Sequence, residues 1–274
     1  MTKLLEKELQ SFKLTEDQEL LQRTIREVAS ENFLEKAREI DKSHKFPREN
    51  LELLAKLEMT GLILPEIYGG VGLDYISYAI VIEELARVCA TTSVILSVHL
   101  SLCSATIVKF GSKYLNEKYV RKLAKGEYLG AFCLSEPGNG SDAANMLTQA
   151  HDKGDHFILN GTKAWITNGS QADVYIVFAQ TNPELKHKGI TAFIVEKEMP
   201  GVSFGKLEDK LGIRASATCQ MRLDNVKIPK ENVLGNISEG FKIAMTTLDS
   251  GRISIAAPIF ANLIPSKLSL TPHR

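Results

Sequence analysis

The stretch SKYLNEKYVRKLAKGEYLGAFCLSEPGNGSD, residues 112–142, contains the change of pattern that decides the fold. Its first half, through Gly126, is amphipathic at helical spacing, whereas YLGAFCL, residues 128–134, is a short continuous apolar run typical of a strand. The polar segment EPGNGSD follows directly and has the composition of a loop. The change of period predicts that helices give way to strands near residue 128.

The residues before this change have the patterns of helices. Thr15 and Gln18 have the spacing of a capping box, which predicts the start of the first helix. Two later runs, DYISYAIVIEELARVCA (residues 74–90) and TTSVILSVHLSLCSATIVKFG (residues 91–111), are apolar on most faces, as helices inside a bundle are. The sequence therefore predicts an all-helical N-terminal domain over residues 1–127.

The residues after the change are organised differently. Short segments rich in Val, Ile, Phe and Thr follow one another, such as HFILNGTKAWIT, VYIVFAQT and ITAFIVEKE, at the spacing of a β-barrel or sandwich. HDKGDHF, residues 151–157, predicts a hairpin that turns at Gly154. We therefore predict an α+β fold, with a barrel-like or sandwich-like middle domain over residues 128–235 rather than a βαβ sheet.

Helical spacing returns in EGFKIAMTTLDSGRISIAA, residues 239–257, so residues 236–257 predict one C-terminal helix. The tail, residues 258–274, holds three of the nine prolines. A proline inside a helix costs about 3 kcal/mol. We therefore expect the helix to end near Ala257, just before Pro258.

Composition and charge exclude several classes of function. The 274 residues include 33 basic and 33 acidic side chains, which gives no electrostatic case for nucleic acid or a membrane surface. We count no apolar run of the ~20 residues that a membrane span needs, and the first residues lack a signal-peptide core. The four cysteines (Cys89, Cys103, Cys133 and Cys219) form no CxxC pair, which predicts buried thiols in a reducing compartment.

The loop EPGNGSD has two interpretations. It does not have the pattern GxGxxG followed by a helix, and Ser141 is not in GxSxG, so neither a dinucleotide site nor a hydrolase elbow is indicated. It is either a glycine-rich turn between strands or a cradle whose N–H groups and Ser135 and Ser141 hydroxyls hold an anion or a polar ring. Trp165, the only tryptophan, is either a core residue or a stacking surface for a flat cofactor. His151 and His156 have no further metal-type neighbour in the sequence, so we expect no metal site.

Five stretches taken in order resemble the acyl-CoA dehydrogenase family, and most closely its short-chain, butyryl-type members. They are YGGVGLDYISYAIVIEELARV, CLSEPGNGSD, LNGTKAWITNG, KLGIRASAT and GFKIAMTTLDSGRI, and the resemblance covers about residues 14–257. It implies a helical domain, a β-barrel-like middle domain and a C-terminal helical bundle, with FAD between the last two. It also implies that intact members form homo-oligomers, in the cytoplasm if prokaryotic and in the mitochondrial matrix if eukaryotic.

The same resemblance implies a reaction of fatty-acid β-oxidation. A carboxylate removes the α-proton of a short-chain acyl-CoA thioester while a hydride leaves the β-carbon for the flavin, which gives a trans-2-enoyl-CoA. Electrons then pass to an electron-transferring flavoprotein. In a dry site, fixed N–H and O–H donors would stabilise the negative charge that a reduced flavin gains.

The resemblance also assigns residues to this chemistry. It implies flavin contacts from Phe132, Cys133, Leu134, Ser135, Gly140, Ser141, Trp165, Ile166 and Thr167. It implies substrate contacts from Ser141, Asp249 and Arg252, although Asp249 and Arg252 are i,i+3 neighbours that could simply pair on a helix.

The catalytic base is where the chain departs from the family pattern. The family keeps its catalytic glutamate either in the C-terminal domain or just before the arginine of LDSGR, where this chain has Gly251. We therefore expect no catalytic base here, and a truncated form with impaired activity.

Two other functions remain open. One is a non-catalytic remnant that binds a partner or CoA weakly, and the other is an acyl-CoA oxidase-like flavoprotein with oxygen as the electron acceptor. Flavin retained after purification would separate an enzyme from a remnant, and oxygen consumption with an acyl-CoA would separate an oxidase from a dehydrogenase.

Overall fold

The computed structural model describes residues 13–263, with side chains to Pro258. Its helical part begins with α1 (Glu16–Ser43), α2 (Arg48–Lys56) and α3 (Tyr75–Val88). Helix α4 runs as Ala90–Ser97, continues as π-helical Val98–Ser104 and ends as Ala105–Phe110. Helix α5 has the same mixed character, with Lys113–Leu115, π-helical Asn116–Val120 and Arg121–Ala124.

The first helix starts where the sequence predicts. The Thr15 hydroxyl accepts a hydrogen bond from the Gln18 N–H at 3.2 Å, and the Gln18 side chain accepts one from the Thr15 N–H at 3.1 Å. These two bonds form the predicted capping box, which satisfies N–H groups that have no partner inside the helix.

Helix α4 shows that the expectation of no apolar run of membrane-spanning length was wrong. By length and composition, the 21 residues Ala90–Phe110 form a helix that could cross a membrane. Within the protein, however, 61% of its most apolar window is buried. The core helix of a globular domain has the same length and composition, and this is how α4 packs.

The middle part is one eight-stranded sheet. Its strands are β1 (Gly130–Cys133), β2 (Gln149–Asp152), β3 (His156–Ile166), β4 (Val174–Gln180), β5 (Ile190–Glu196), β6 (Val202–Leu207), β7 (Cys219–Pro229) and β8 (Val233–Leu234). Seven lie in the order β6-β7-β3-β2-β4-β5-β8, and β1 pairs with β4.

Most of these pairs are antiparallel; β1 and β2 each run parallel to β4. The predicted hairpin joins β2 to β3, with Gly154 at φ +93. The predicted α+β class is confirmed, and the sheet stays open, with β6 and β8 at its two ends.

A buried histidine joins the helices to the sheet. His99 on α4 accepts a hydrogen bond from the Gly130 N–H at its Nδ1 (3.1 Å), and its Nε2 lies 3.1 Å from the carbonyl oxygens of Thr60 and Leu123. This arrangement requires a neutral ring with the proton on Nε2. Burial lowers the pKa of His99 to about 4, which favours that neutral ring.

The C-terminal helix, α6 (Gly240–Leu263), extends further than predicted. It packs on α4 through two hydroxyl pairs, Ser101 with Ser254 (3.3 Å) and Thr106 with Thr247 (3.0 Å). The prediction that the helix ends near Ala257 was wrong, because Pro258 lies inside it. Ala257 and Pro258 are buried, so packing compensates for the hydrogen bond that proline cannot make. The remaining tail, residues 264–274, lies outside the described residues.

Candidate functional site

A cavity of ≈ 440 Å³ lies where the loop after β1, the end of β3, α4 and α6 meet. Its walls come from both the helical part and the sheet. They are Val98, Leu102, Phe132, Leu134, Ser135, Gly140, Ser141, Ala143, Ala164, Trp165, Ile166, Thr167, Met245, Leu248 and Arg252. Two of the stretches that carry the family resemblance, CLSEPGNGSD and LNGTKAWITNG, therefore meet on one concave surface.

Eight of the nine residues expected at a flavin line this cavity, and Cys133 does not. Side chains alternate along a strand, so Phe132 and Leu134 face the cavity while Cys133 points to the opposite side. There its sulfur lies 3.7 Å from the Met221 sulfur, and burial raises the pKa of its thiol. All four cysteines are free and buried, which confirms the prediction of buried thiols.

Trp165 reaches the cavity because β3 contains a bulge. Lys163 pairs with Met221 and Ile166 pairs with Cys219, so β3 has one more residue than β7 between these two pairs. Trp165 lies in this bulge with φ +60, a left-handed conformation that is rare for a bulky side chain. Regular alternation would place Trp165 on the buried face with Lys163; instead the residue is 60% exposed.

The polar groups of the cavity are available for a ligand. No hydrogen bond from within residues 13–263 engages the hydroxyl of Ser135, Ser141 or Thr167. Carbon atoms placed at the Cβ positions of Gly138 and Gly140 would meet nothing within 4 Å. The loop therefore offers open space and unused donors, as a cradle for a polar ring requires.

Two of the charged residues of α6, Asp249 and Arg252, differ in their relation to the cavity. Both side chains belong to exposed residues, but Arg252 lines the cavity and Asp249 is not among the lining residues. Three residues along a helix correspond to a rotation of about 300°, so the two side chains lie about 60° apart on neighbouring parts of the helix surface. The described structure shows no ion pair between them, so the alternative in which they simply pair is not what is observed.

A second cavity of ≈ 280 Å³ adjoins the first and shares Val98, Leu102, Leu248 and Arg252 with it. The rest of its wall is formed by Val94, Ser97, Gly251, Ser254 and Ile255. This wall is mostly apolar. Among the described residues, neither cavity has a carboxylate in its wall.

Beneath the first cavity lies a buried ion pair. The Lys163 ammonium donates to Glu136 Oε1 at 2.8 Å and to the Leu134 carbonyl at 3.2 Å. The Glu136 carboxylate also accepts hydrogen bonds from the N–H groups of Leu147 and Thr148. Burial by itself would raise the pKa of Glu136, but the attraction of Lys163 and these hydrogen bonds outweigh it and hold the pKa below its usual value.

Apart from Arg252, the sequence does not indicate the walls that the helices contribute, nor the ion pair. Val98 and Leu102 belong to α4, whose apolar composition indicated burial but not a cavity wall. Lys163 could have been found, because it continues the alternation of the buried residues Phe157 and Leu159 along β3. Within the described part of the chain, no group of three His, Cys, Asp or Glu side chains could hold a metal ion.

Comparisons with known proteins fit this geometry. Residues 15–127 match the acyl-CoA dehydrogenase N-terminal domain, and residues 131–226 match the middle domain of the same family. The chain is 46% identical to the mitochondrial short-chain specific acyl-CoA dehydrogenase of Rattus norvegicus over 248 residues. That match covers 90% of this chain and 60% of the relative.

Two solved structures are similar in fold. The butyryl-CoA dehydrogenase of Megasphaera elsdenii matches with a TM-score of 0.89 and 41% identity, over 91% of this chain and 66% of that one. An acyl-CoA dehydrogenase of Bacillus anthracis complexed with FAD matches with a TM-score of 0.84 and 36% identity, over 90% of this chain and 42% of that one. With both domain models matched in order and close relatives along nine-tenths of its length, this chain belongs to the acyl-CoA dehydrogenase family.

Proposed function

We propose that the chain binds FAD and a short-chain acyl-CoA thioester and takes part in α,β-dehydrogenation to the trans-2-enoyl-CoA. One observation carries the proposal. An exposed aromatic face, three unused hydroxyls and an open glycine loop converge on a single cavity that continues into an apolar one. The chain spans about 60% of the length of its rat relative. The proposed activity therefore rests on the residues described in this chain.

The first cavity fits the flavin ring of FAD. The half-exposed indole of Trp165 offers a flat stacking surface. The hydroxyls of Ser135, Ser141 and Thr167 are placed to donate to the ring edge or to the substrate where the two meet. When bound, FAD would supply the acceptor for the hydride that leaves the substrate.

The second cavity fits the acyl chain. Its wall is largely apolar, so it can bury the methylene groups of a short acid, at about 0.8 kcal/mol for each one. Arg252 lies where the two cavities join and can hold a polar or charged part of the thioester substrate. The acyl chain would then extend from the flavin site directly into the second, largely apolar cavity.

The described residues do not supply the base that removes the α-proton. Gly251, at the position that the family resemblance suggests, has no side chain, and neither cavity wall contains an Asp or Glu. A general base has to come within hydrogen-bond reach of the proton that it takes. We propose that this carboxylate comes from outside residues 13–263, and that the 274-residue chain by itself has little activity.

The same lack of a carboxylate supports a second candidate, a chain that binds flavin or CoA without catalysis. If catalysis occurs, the proposed electron acceptor is an electron-transferring flavoprotein and the proposed assembly is a homo-oligomer. The proposed location is the mitochondrial matrix in a eukaryote and the cytoplasm in a prokaryote.

The experiment that tests binding uses the only tryptophan. FAD is titrated against the purified chain while Trp165 fluorescence is recorded, because a ring stacked on the indole quenches its emission. Saturable quenching, together with displacement or perturbation of the flavin spectrum by butyryl-CoA, is expected. Absence of saturable quenching at flavin concentrations far above that of the protein would reject the proposed function.

A further inference from the structure

Trp165 has a left-handed backbone conformation that is sterically unfavourable for a bulky residue. Its φ of +60 brings the Cβ atom close to the following carbonyl, and the residue, with its large side chain, is 60% exposed. Such a conformation persists only where the surrounding structure enforces it. The contacts that enforce it must lie beside Trp165 along β3.

On the preceding side, Lys163 is fixed from three directions. Its ammonium lies 2.8 Å from Glu136 Oε1, 3.2 Å from the Leu134 carbonyl oxygen and 3.9 Å from the Met146 sulfur. The side chains of Lys163 and Glu136 are 0% and 3% exposed, so water does not compete for these bonds.

Glu136 extends the connection to a third segment. Its carboxylate accepts hydrogen bonds from the N–H groups of Leu147 and Thr148, in the segment before β2. The Ala164 N–H also donates to the Ser135 carbonyl at 2.9 Å. The loop after β1, the segment before β2 and the end of β3 are therefore connected at one point, directly below the cavity.

On the following side, Asn168 provides a second fixed point. It is fully buried with φ +65, and its backbone N–H donates to the Ser216 carbonyl. Its side-chain nitrogen, Nδ2, donates to the Ile95 carbonyl at 3.2 Å and to the Gly130 carbonyl at 3.1 Å. The bulge with Trp165 thus lies between two anchored residues.

A contribution to stability does not explain why an ion pair, rather than two apolar residues, is buried at this position. A buried ion pair gives no more stability than well-packed apolar residues, because removing two charges from water costs about as much as their attraction returns. It does fix register, since a shift along the strand leaves both charges unpaired. Register is critical here, because a slip of one residue in β3 reverses the face to which each side chain points.

We propose that Lys163 and Glu136 are positioning residues that hold Trp165 in its left-handed bulge at the cavity. The meaning of this position for flavin rests on the proposed function; the positioning itself does not. The pair acts through the backbone of β3 and through the loop, so neither side chain has to touch a ligand.

The test uses the double substitution Lys163→Met and Glu136→Gln, which removes both charges together and leaves no unpaired charge. Because Trp165 is the only tryptophan, its time-resolved fluorescence anisotropy without flavin reports its own local motion. We expect a slow decay in the original chain and an added fast component in the double variant, with FAD affinity reduced about tenfold or more. Thermal unfolding should stay cooperative.

The matched control is the pair of Arg26 and Glu84 in the helical part, 2.6 Å apart with a buried carboxylate. Arg26→Met with Glu84→Gln should leave the Trp165 anisotropy and the FAD affinity unchanged, whatever it does to the unfolding temperature. If the Lys163 and Glu136 double variant does not fold, Glu136→Asp serves instead, since it keeps the charge and withdraws the carboxylate by one methylene. The same fast component is expected.

A folded variant whose Trp165 anisotropy and FAD affinity both match the original chain would overturn the proposal. So would an equal change in the Arg26 and Glu84 control. Failure of the original chain to bind FAD would reject the proposed function alone, because the anisotropy experiment without flavin still decides whether the pair positions Trp165.

Discussion

Gly251 on α6 lies against Leu102 on α4 so closely that a Cβ atom at Gly251 would be 2.8 Å from Leu102 Cδ2. Both residues line the apolar cavity. The atom in the way is the end of a flexible side chain, so a larger residue at position 251 fits if Leu102 changes its rotamer. This contact makes position 251 the place where a carboxylate can be added to the cavity wall.

We predict that Gly251→Glu gives measurable acyl-CoA-dependent dye reduction in the presence of excess FAD, because it brings a carboxylate to the cavity. Gly251→Gln is the matched control, with the same size and no basic oxygen. Rescue should be partial, since the displaced Leu102 narrows the acyl site. Equal rates for the Glu and Gln variants would show that the added carboxylate does not act as a base.

Arg252 and Asp249 provide a second prediction, because they are close in sequence and differ in position. Arg252→Met should weaken butyryl-CoA binding about tenfold through loss of a charged hydrogen bond. Asp249→Asn should leave it unchanged, since Asp249 does not line the cavity. Isothermal titration of both variants checks this, and an equal effect of the two would contradict the observed geometry.

Thr167 provides a third prediction. Thr167→Val should change the free energy of unfolding by less than about 0.5 kcal/mol, because its hydroxyl has no partner within the described residues. It should still weaken FAD binding several-fold. Thr106→Val is the control: its hydroxyl bonds Thr247 at 3.0 Å, so it should lose about 1 kcal/mol of stability and keep its FAD affinity. Unchanged FAD affinity of the Thr167 variant would argue against a flavin contact there.

His99 predicts how stability depends on pH. Its pKa is lowered to about 4 in the folded protein, so between pH 6.5 and 4 the unfolded chain takes up a proton that the folded chain refuses. Stability should therefore fall as pH falls through this window, by about 2 kcal/mol between pH 7 and pH 5. Urea unfolding at the two pH values measures it. In His99→Gln, which is expected to be less stable at pH 7, this part of the dependence should disappear; an unchanged pH dependence would exclude His99 as its source.

The sequence predicts the order of the fold well because hydrophobic period is a local property. The capping box at Thr15 and the hairpin at Gly154 depend on a few neighbouring residues, and both are present as expected. The end of α6 depends instead on tertiary packing, because burial of Ala257 and Pro258 outweighs the local preference of proline.

The same distinction applies to the site. The loop EPGNGSD and the single Trp165 are recognisable in the sequence as unusual, but the side to which Trp165 points depends on a bulge, which alternation along the sequence does not show. The family resemblance groups Cys133 with its neighbours, although strand alternation turns its side chain away from the cavity. The walls from α4 and α6 depend on how distant segments pack, and only the structure shows Gly251 against Leu102.

The central claim is that these residues hold the flavin and the acyl-CoA but lack the base. The most direct test mixes the FAD-loaded chain anaerobically with butyryl-CoA and follows the flavin absorbance. We predict that butyryl-CoA perturbs the flavin spectrum on binding, while bleaching is far slower than in a short-chain specific acyl-CoA dehydrogenase whose cavity holds a carboxylate. Bleaching within about tenfold of that relative, an activation difference of about 1.4 kcal/mol, would contradict the claim.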